Sequence, residues 1–140
     1  MENRGQRHAH QVRGLPPWND AYAAAHDVPA LMDEWLAELN RRRNGADDPI
    51  ESQVWLHACF ARIHPIADGN GRMARMLANL PLLAVGLDPV DIPATARVRY
   101  LAALARWQME CGPPRPGHLL FAKPKLLADF RKLCAASRDR

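Results

Sequence analysis

An all-α helical bundle is the architecture this sequence predicts, and three observations carry the prediction. Ala (23) and Leu (17) far outnumber Val (6), Ile (4) and Thr (1), so helix formers dominate over the residues that suit a pleated sheet. Apolar residues recur at helical spacing in successive stretches. Pro, Gly and Asp stand where such stretches begin and end. The 140 residues, 48% hydrophobic and 24% charged, have an ordinary globular composition and the length of one domain, which excludes a disordered or collagen-like chain.

The elements follow in order. Residues 1–20 hold Gly5, Gly14, Pro16 and Pro17 without a helical period, and Gln11-Val12-Arg13 fits one short edge strand. A first helix is expected from Asp27 as N-cap, with Pro29 just inside it, Leu31, Trp35 and Leu39 on one face, and Glu38 paired to Arg42 one turn on. It stops at Arg41-Arg42-Arg43-Asn44-Gly45. A second helix starts at Asp48, with Pro49 in the first position and Glu51 placed for a capping box. Ile50, Val54, Ala58 and Ala61 form its buried face, and Pro65 ends it. A third runs from Asn70 to Gly86 with Met73, Met76, Leu77, Leu80 and Leu83 inward and a kink or break at Pro81. A fourth spans Pro93 to Met109 and stops at Gly112. The stiff stretch 112–117 then leads to a last helix, Pro124 to Ala135, presenting Leu126, Leu127, Phe130 and Leu133.

Charge is unevenly placed. The net +4 (Lys+Arg 19, Asp+Glu 15) divides into −2 for residues 1–50, −1 for 51–95 and +7 for 96–140. The basic third has no interleaved aromatic platform, so it reads as a solvated tail rather than a nucleic-acid surface. Three cysteines, Cys59, Cys111 and Cys134, make no CxxC pair and a poor disulfide framework, and no signal-peptide core follows the polar start. The longest apolar run, around residues 77–87, is too short to cross a bilayer. A reduced, cytoplasmic protein is the expectation, with export as an effector left open, and no membrane partner is expected.

The chemistry is concentrated in His64-Pro65-Ile66-Ala67-Asp68-Gly69-Asn70-Gly71-Arg72-Met73-Ala74-Arg75. A histidine at the end of one helix leads through a short loop to the start of the next. Two glycines flank an asparagine there, so backbone amides can converge unobstructed. With the positive end of the third helix they make an anion site. Arg72 and Arg75, three residues apart, can reach one polyanion, and basic groups at a helix N-terminus oppose the dipole unless an anion is bound. Asp68 fits the common arrangement of one carboxylate plus phosphates around Mg²⁺. His64 can accept the proton of an attacking hydroxyl.

This segment resembles the Fic signature H-P-F-x-D/E-G-N-G-R-x-x-R, matched by His64, Pro65, Asp68, Gly69, Asn70, Gly71, Arg72 and Arg75, with Ile66 where the family has Phe. The likeness extends to Val28-Pro29-Ala30-Leu31-Met32 ("VPxLM"), to His57 seven residues before His64, and to Arg99-Tyr100-Leu101-Ala102-Ala103-Leu104 ("xYYxAL"). It implies a Fic-like helical bundle with a small β-hairpin flap: a single domain over 1–140, with a flap region at 1–20, a core at 27–112 holding the catalytic loop 64–75, and a basic C-terminal helix at 113–140. The flap itself is placed at residues 10–20, where Gln11-Val12 resembles the family's lead, with Trp18 either closing over nucleotide or packed at the surface.

The resemblance also implies an activity: transfer of AMP from ATP, with Mg²⁺, to a Ser, Thr or Tyr hydroxyl of a target protein. His64 would be the base, Asp68 the Mg²⁺ ligand, Gly69, Asn70 and Gly71 the holders of phosphate oxygens, Arg72 the partner of the outer phosphates and Arg75 their support. The side chain at 66 packs beneath the loop; Tyr100 and Gln108 fall where the family's fourth helix lines the adenine pocket, Tyr100 with core packing as the equal alternative and Gln108 with a plain surface place favoured. The GNGR loop is unlike that of the relative Doc, which phosphorylates. No Ser or Thr begins the family's inhibitory S/T-x-x-x-E-G/N motif, and the chain begins close to the flap; a small toxin restrained by a separate antitoxin, or a truncated member, is the expectation. Two other readings stay open. One takes His57, His64 and Asp68 as a two-His-one-carboxylate metal centre, although seven residues put the histidines roughly 10 Å apart along a helix. A truncated or degenerate Fic fold acting as a binding module, or a nucleic-acid binder using the basic C-terminal third, is the other, although nucleic acid is not the expected partner. Within the enzyme reading, transfer of another nucleotide or phosphate group is the alternative.

Overall fold

In the computed structural model, residues 22–43, 47–118, 128 and 131–134 are described. The flap expected at residues 1–20, Trp18, and Leu126, Leu127 and Phe130 of the last helix therefore lie outside the described residues. Five α-helices carry the described chain: α1 (Val28–Arg42), α2 (Pro49–Ile63), α3 (Asn70–Ala78), α4 (Leu80–Ala84) and α5 (Arg97–Cys111). No strand is present among these residues, and a lone antiparallel bridge joins Arg115 to His118.

A 3₁₀ turn, Ala25–Asp27, runs straight into α1, so Asp27 is itself helical (φ −88°, ψ −14°) and its side chain does not cap. That corrects the expected cap: a residue already inside a turn cannot aim its carboxylate at the next amides. The inner face is as expected, Leu31, Trp35 and Leu39, and the Trp35 indole N–H donates to the Leu56 carbonyl at 2.9 Å. Glu38 pairs with Arg42 at 2.8 Å and also with Arg41.

Asp48 caps α2, accepting from the Ile50 amide at 2.8 Å. The capping box is not completed, because Glu51 pairs instead with Arg131 of the C-terminal segment. A one-sided buried face on α2 also needs correction: every residue from Ser52 to Ile63 is buried, while Ile50 is only half-buried. The run Val54-Trp55-Leu56-His57-Ala58-Cys59-Phe60 is apolar nearly all round, which suits a helix enclosed by others. Its far end is tied to α5 by Arg62, fully buried, which donates to the Gly112 carbonyl and stacks on Trp107 at 4.9 Å.

The expected third helix is two. The break falls at Asn79, before Pro81, which has no N–H to offer the carbonyl of Leu77. Asn79 holds the break, its amide bonding both the N–H (2.9 Å) and the C=O (3.1 Å) of Val90. The inward face is narrower than expected: Ala74, Ala78, Pro81 and Leu82 are buried and Met73, Leu77 and Leu80 half-buried. Met76 and Leu83, expected inward, are 61% and 52% exposed. Small alanines let α3 approach α2 closely, and close approach turns the larger side chains to the flanks. Finally, α5 ends as expected at Gly112, whose φ of +71° suits glycine. Residues 131–134 are helical, with Cys134 buried.

Candidate active site

The site grows from the junction of α2 and α3. His64 closes α2 in the left-handed region (φ 54°, ψ 57°), its amide bonded to the Phe60 carbonyl at 2.9 Å. It is the one non-glycine residue with positive φ among those described, and it stands before Pro65, which disfavours continuing the right-handed helix at that residue. The chain thus leaves the helix abruptly, and the imidazole is presented at the helix end. Its Nδ1 lies 3.3 Å from the Ala61 carbonyl; a proton on Nδ1 donated there leaves the Nε2 lone pair as acceptor. Tyr22 stacks on the ring, centroids 4.0 Å apart. Tyr22 is held there because the Ala23 amide bonds the Arg62 carbonyl at 3.1 Å, and burial raises its phenol to about 12, so it stacks as a neutral ring.

The loop from 65 to 69 is shaped by Asn70. This buried side chain accepts from the Ile66 amide at 3.0 Å and donates to the Ile66 carbonyl at 2.6 Å. Asn70 therefore offers an anion its main-chain amide, while its side chain holds the loop. The Ile66 side chain, expected beneath the loop, is instead 36% exposed; the loop is anchored through the Ile66 backbone, which any residue type supplies. Gly69 takes φ +84° as the cap of α3, and its amide donates to Asp68 Oδ1 at 2.9 Å. The first intrahelical bond runs from Met73 to Gly69, so the amides of Asn70, Gly71 and Arg72 precede the hydrogen-bonded ladder and face the helix end.

These groups share one cleft of about 370 Å³, lined by Tyr22, His64, Asp68, Gly69, Asn70, Gly71, Arg72 and Arg75 on one side. The other wall is a stripe of α5: Arg97, Tyr100, Leu101, Leu104 and Gln108. All eight residues singled out from the sequence, His64, Asp68, Gly69, Asn70, Gly71, Arg72, Arg75 and Tyr100, line it. Three were missed. Gln108, expected at the surface, is 3% exposed, and its place seven residues after Leu101 on the same helical face was the available signal. Arg97 opens that same stripe. Tyr22 had no local signal, since a distant backbone bond positions it.

Tyr100 belongs to core and cleft together, 4% exposed with its hydroxyl toward α2 and α3. His57 does not join His64 and Asp68: it is fully buried, its ring nitrogens on Gln53 (3.3 Å) and Tyr100 (2.7 Å). Among the described residues no three His, Cys, Asp or Glu side chains converge as a metal cage. The donor set in the cleft is one carboxylate beside backbone amides and three arginines, which fits a hard cation that arrives with phosphates.

The Fic/DOC family profile matches residues 5–82, more than half of the chain. The chain belongs to that family. Similar Fic relatives include the protein adenylyltransferase fic-1 of Caenorhabditis briggsae, 41% identical over 81 residues (55% of this chain, 16% of that protein). The protein adenylyltransferase Fic of Drosophila persimilis is 33% identical over 88 residues, covering 59% of this chain and 17% of its own length. Among solved structures, a Fic domain containing signaling protein from Bacteroides thetaiotaomicron superposes with a TM-score of 0.69 at 29% identity, over 84% of this chain and 46% of that one. The chain thus spans about a sixth of the length of the two adenylyltransferases. The Fic helical fold is shared, and the cleft described above lies within it.

Proposed function

We propose that this chain transfers AMP from ATP to a Ser, Thr or Tyr hydroxyl of a target protein. The observation that carries the proposal is the single cleft in which a histidine, a carboxylate, the N-terminal amides of α3 and three arginines meet. The relatives' name, protein adenylyltransferase, supports the same reading.

In this reading the target hydroxyl gives its proton to His64 Nε2 while its oxygen attacks the α-phosphorus. The bond from that phosphorus to the bridging oxygen breaks, and pyrophosphate leaves with the electron pair. Charge on the phosphates is met by Arg72, Arg75 and the amides of Asn70, Gly71 and Arg72, already aimed at one place, which is what phosphoryl-type transfer chiefly requires. Asp68 would hold Mg²⁺, which when bound neutralises phosphate charge. Leu101 and Leu104 offer an apolar wall and Gln108 an amide for the base.

The decisive experiment incubates the protein and His64→Ala with ATP labelled at the α- or the γ-phosphate, in lysate. Label from the α-phosphate on a protein band, absent with His64→Ala, is expected; γ-label alone means a kinase, and no label from either removes the proposal. A toxin held by an antitoxin, acting in the cytoplasm, is part of the same proposal, and growth arrest on expression that His64→Ala relieves is its readout. No helix among the described residues is long and apolar enough to cross a membrane.

A further inference from the structure

Behind the cleft lies a line of polar groups inside the core. The Gln53 amide meets His57 Nδ1 at 3.3 Å, His57 Nε2 meets the Tyr100 hydroxyl at 2.7 Å, and Arg75 Nη1 donates to that hydroxyl at 3.4 Å. Gln53, His57 and Tyr100 are 1%, 0% and 4% exposed, so three polar side chains have been taken from water together. Such burial is costly unless the groups satisfy one another, and here it ends on a cation that lines the site. The Arg75 guanidinium also faces the Tyr100 ring, 5.8 Å from its centroid. The same nitrogen lies close to Gly71: a Cβ there would stand 3.3 Å from Arg75 Nη1.

We propose that Gln53, His57 and Tyr100 form a buried strut that fixes the Arg75 guanidinium against Gly71, setting the anion site before a phosphate arrives. Tyr100 is the positioning residue, and Gly71 supplies clearance. In one arrangement Gln53 donates to Nδ1 and His57 Nε2–H donates to Tyr100. With the Gln53 amide turned over, Nδ1–H donates to its oxygen and Tyr100 donates to Nε2. In both, Tyr100 Oη accepts from Arg75. Burial, and next the charge of Arg75, hold the His57 imidazole down to about 3, so the strut stays neutral and leaves the arginine's charge to the ligand. A side chain with this much rotamer freedom reaches a phosphate at lower entropic cost when held in place beforehand.

The proposal rests on the nucleotide reading only for what Arg75 serves, so two readouts are needed. The first uses the protein without nucleotide: the Nε–H NMR signal of Arg75, assigned by its loss in Arg75→Lys. A resolved, slowly exchanging signal is expected in the wild type, broadened or lost in Tyr100→Phe. Gly71→Ala, which leaves the core untouched, should shift the same signal by displacing the guanidinium. An Arg75 signal unchanged in both variants overturns the proposal. The second is the affinity for ATP with Mg²⁺. Tyr100→Phe should weaken it about five-fold, the weight of one hydrogen bond. The loss should vanish in an Arg75→Met background, whereas losses that multiply overturn the strut and mark Tyr100 as packing only. If the wild type binds no ATP while the Arg75 signal behaves as stated, the nucleotide reading alone falls.

Discussion

Asn70 holds Ile66 by both edges of its amide, accepting from the Ile66 N–H at 3.0 Å and donating to the Ile66 C=O at 2.6 Å. The pairing closes the loop between His64 and the helix that carries Arg72 and Arg75. Asn70→Ala leaves two backbone groups without that partner and should cost about 1–3 kcal/mol. Asn70→Asp keeps the acceptor but sets a carboxylate oxygen against the Ile66 carbonyl, and should be no better than Ala. Thermal melts measure the cost, and labelling from α-labelled ATP should fall in both variants.

The two loop glycines separate by cause. Gly69 sits at φ +84° with open space where a Cβ would go, so Gly69→Ala pays only backbone strain, about 1–2 kcal/mol of stability. Gly71 is helical, and Ala there should leave stability unchanged or slightly raised. Its Cβ presses on Arg75 instead, so nucleotide affinity should fall without a lower melting temperature. Denaturation and ATP titration of the pair test this, and a destabilised Gly71→Ala would contradict it.

His57 predicts an acid sensitivity. Unfolded, an imidazole takes a proton near pH 6.5; folded, this one resists until about 3. Between those values the unfolded chain binds one more proton, so stability falls as the pH falls, by up to about 1.4 kcal/mol per pH unit from this group. In His57→Asn the slope between pH 4 and 6.5 should be shallower by about that amount, read from denaturant midpoints across the range.

The contact of α3 with α2 makes a packing prediction. Ala78 is fully buried on the close face, so Ala78→Leu should cost about 1–3 kcal/mol by overpacking. Met76, 61% exposed two residues earlier, should accept Glu within about 0.5 kcal/mol. A reversed order in urea unfolding would place the buried face where the large side chains are.

Local chemistry was legible in the sequence. Asp48 and Pro49 start α2 because a cap and a fixed φ act within two residues, and Pro65 and Gly112 end helices for equally local reasons. That His64, Asp68, Arg72 and Arg75 gather at one cleft was legible because helix ends, glycine freedom and arginine spacing are short-range properties. Burial was less legible, since it depends on what packs opposite. Met76 and Leu83 have the character of core residues and lie outside it, while Ala74 and Ala78 take the buried face of α3.

The sequence by itself therefore determined the helical class, most helix boundaries and the loop between α2 and α3, all governed by propensity, capping and proline within a few residues. Only the tertiary structure decided that α2 is enclosed on all sides, that Tyr22 covers His64, that Gln108 turns inward, and that His57 faces Tyr100 rather than His64. Each of these depends on contacts between residues distant in the chain, such as the 43 positions separating His57 from Tyr100, and no local pattern encodes which distant side chain arrives.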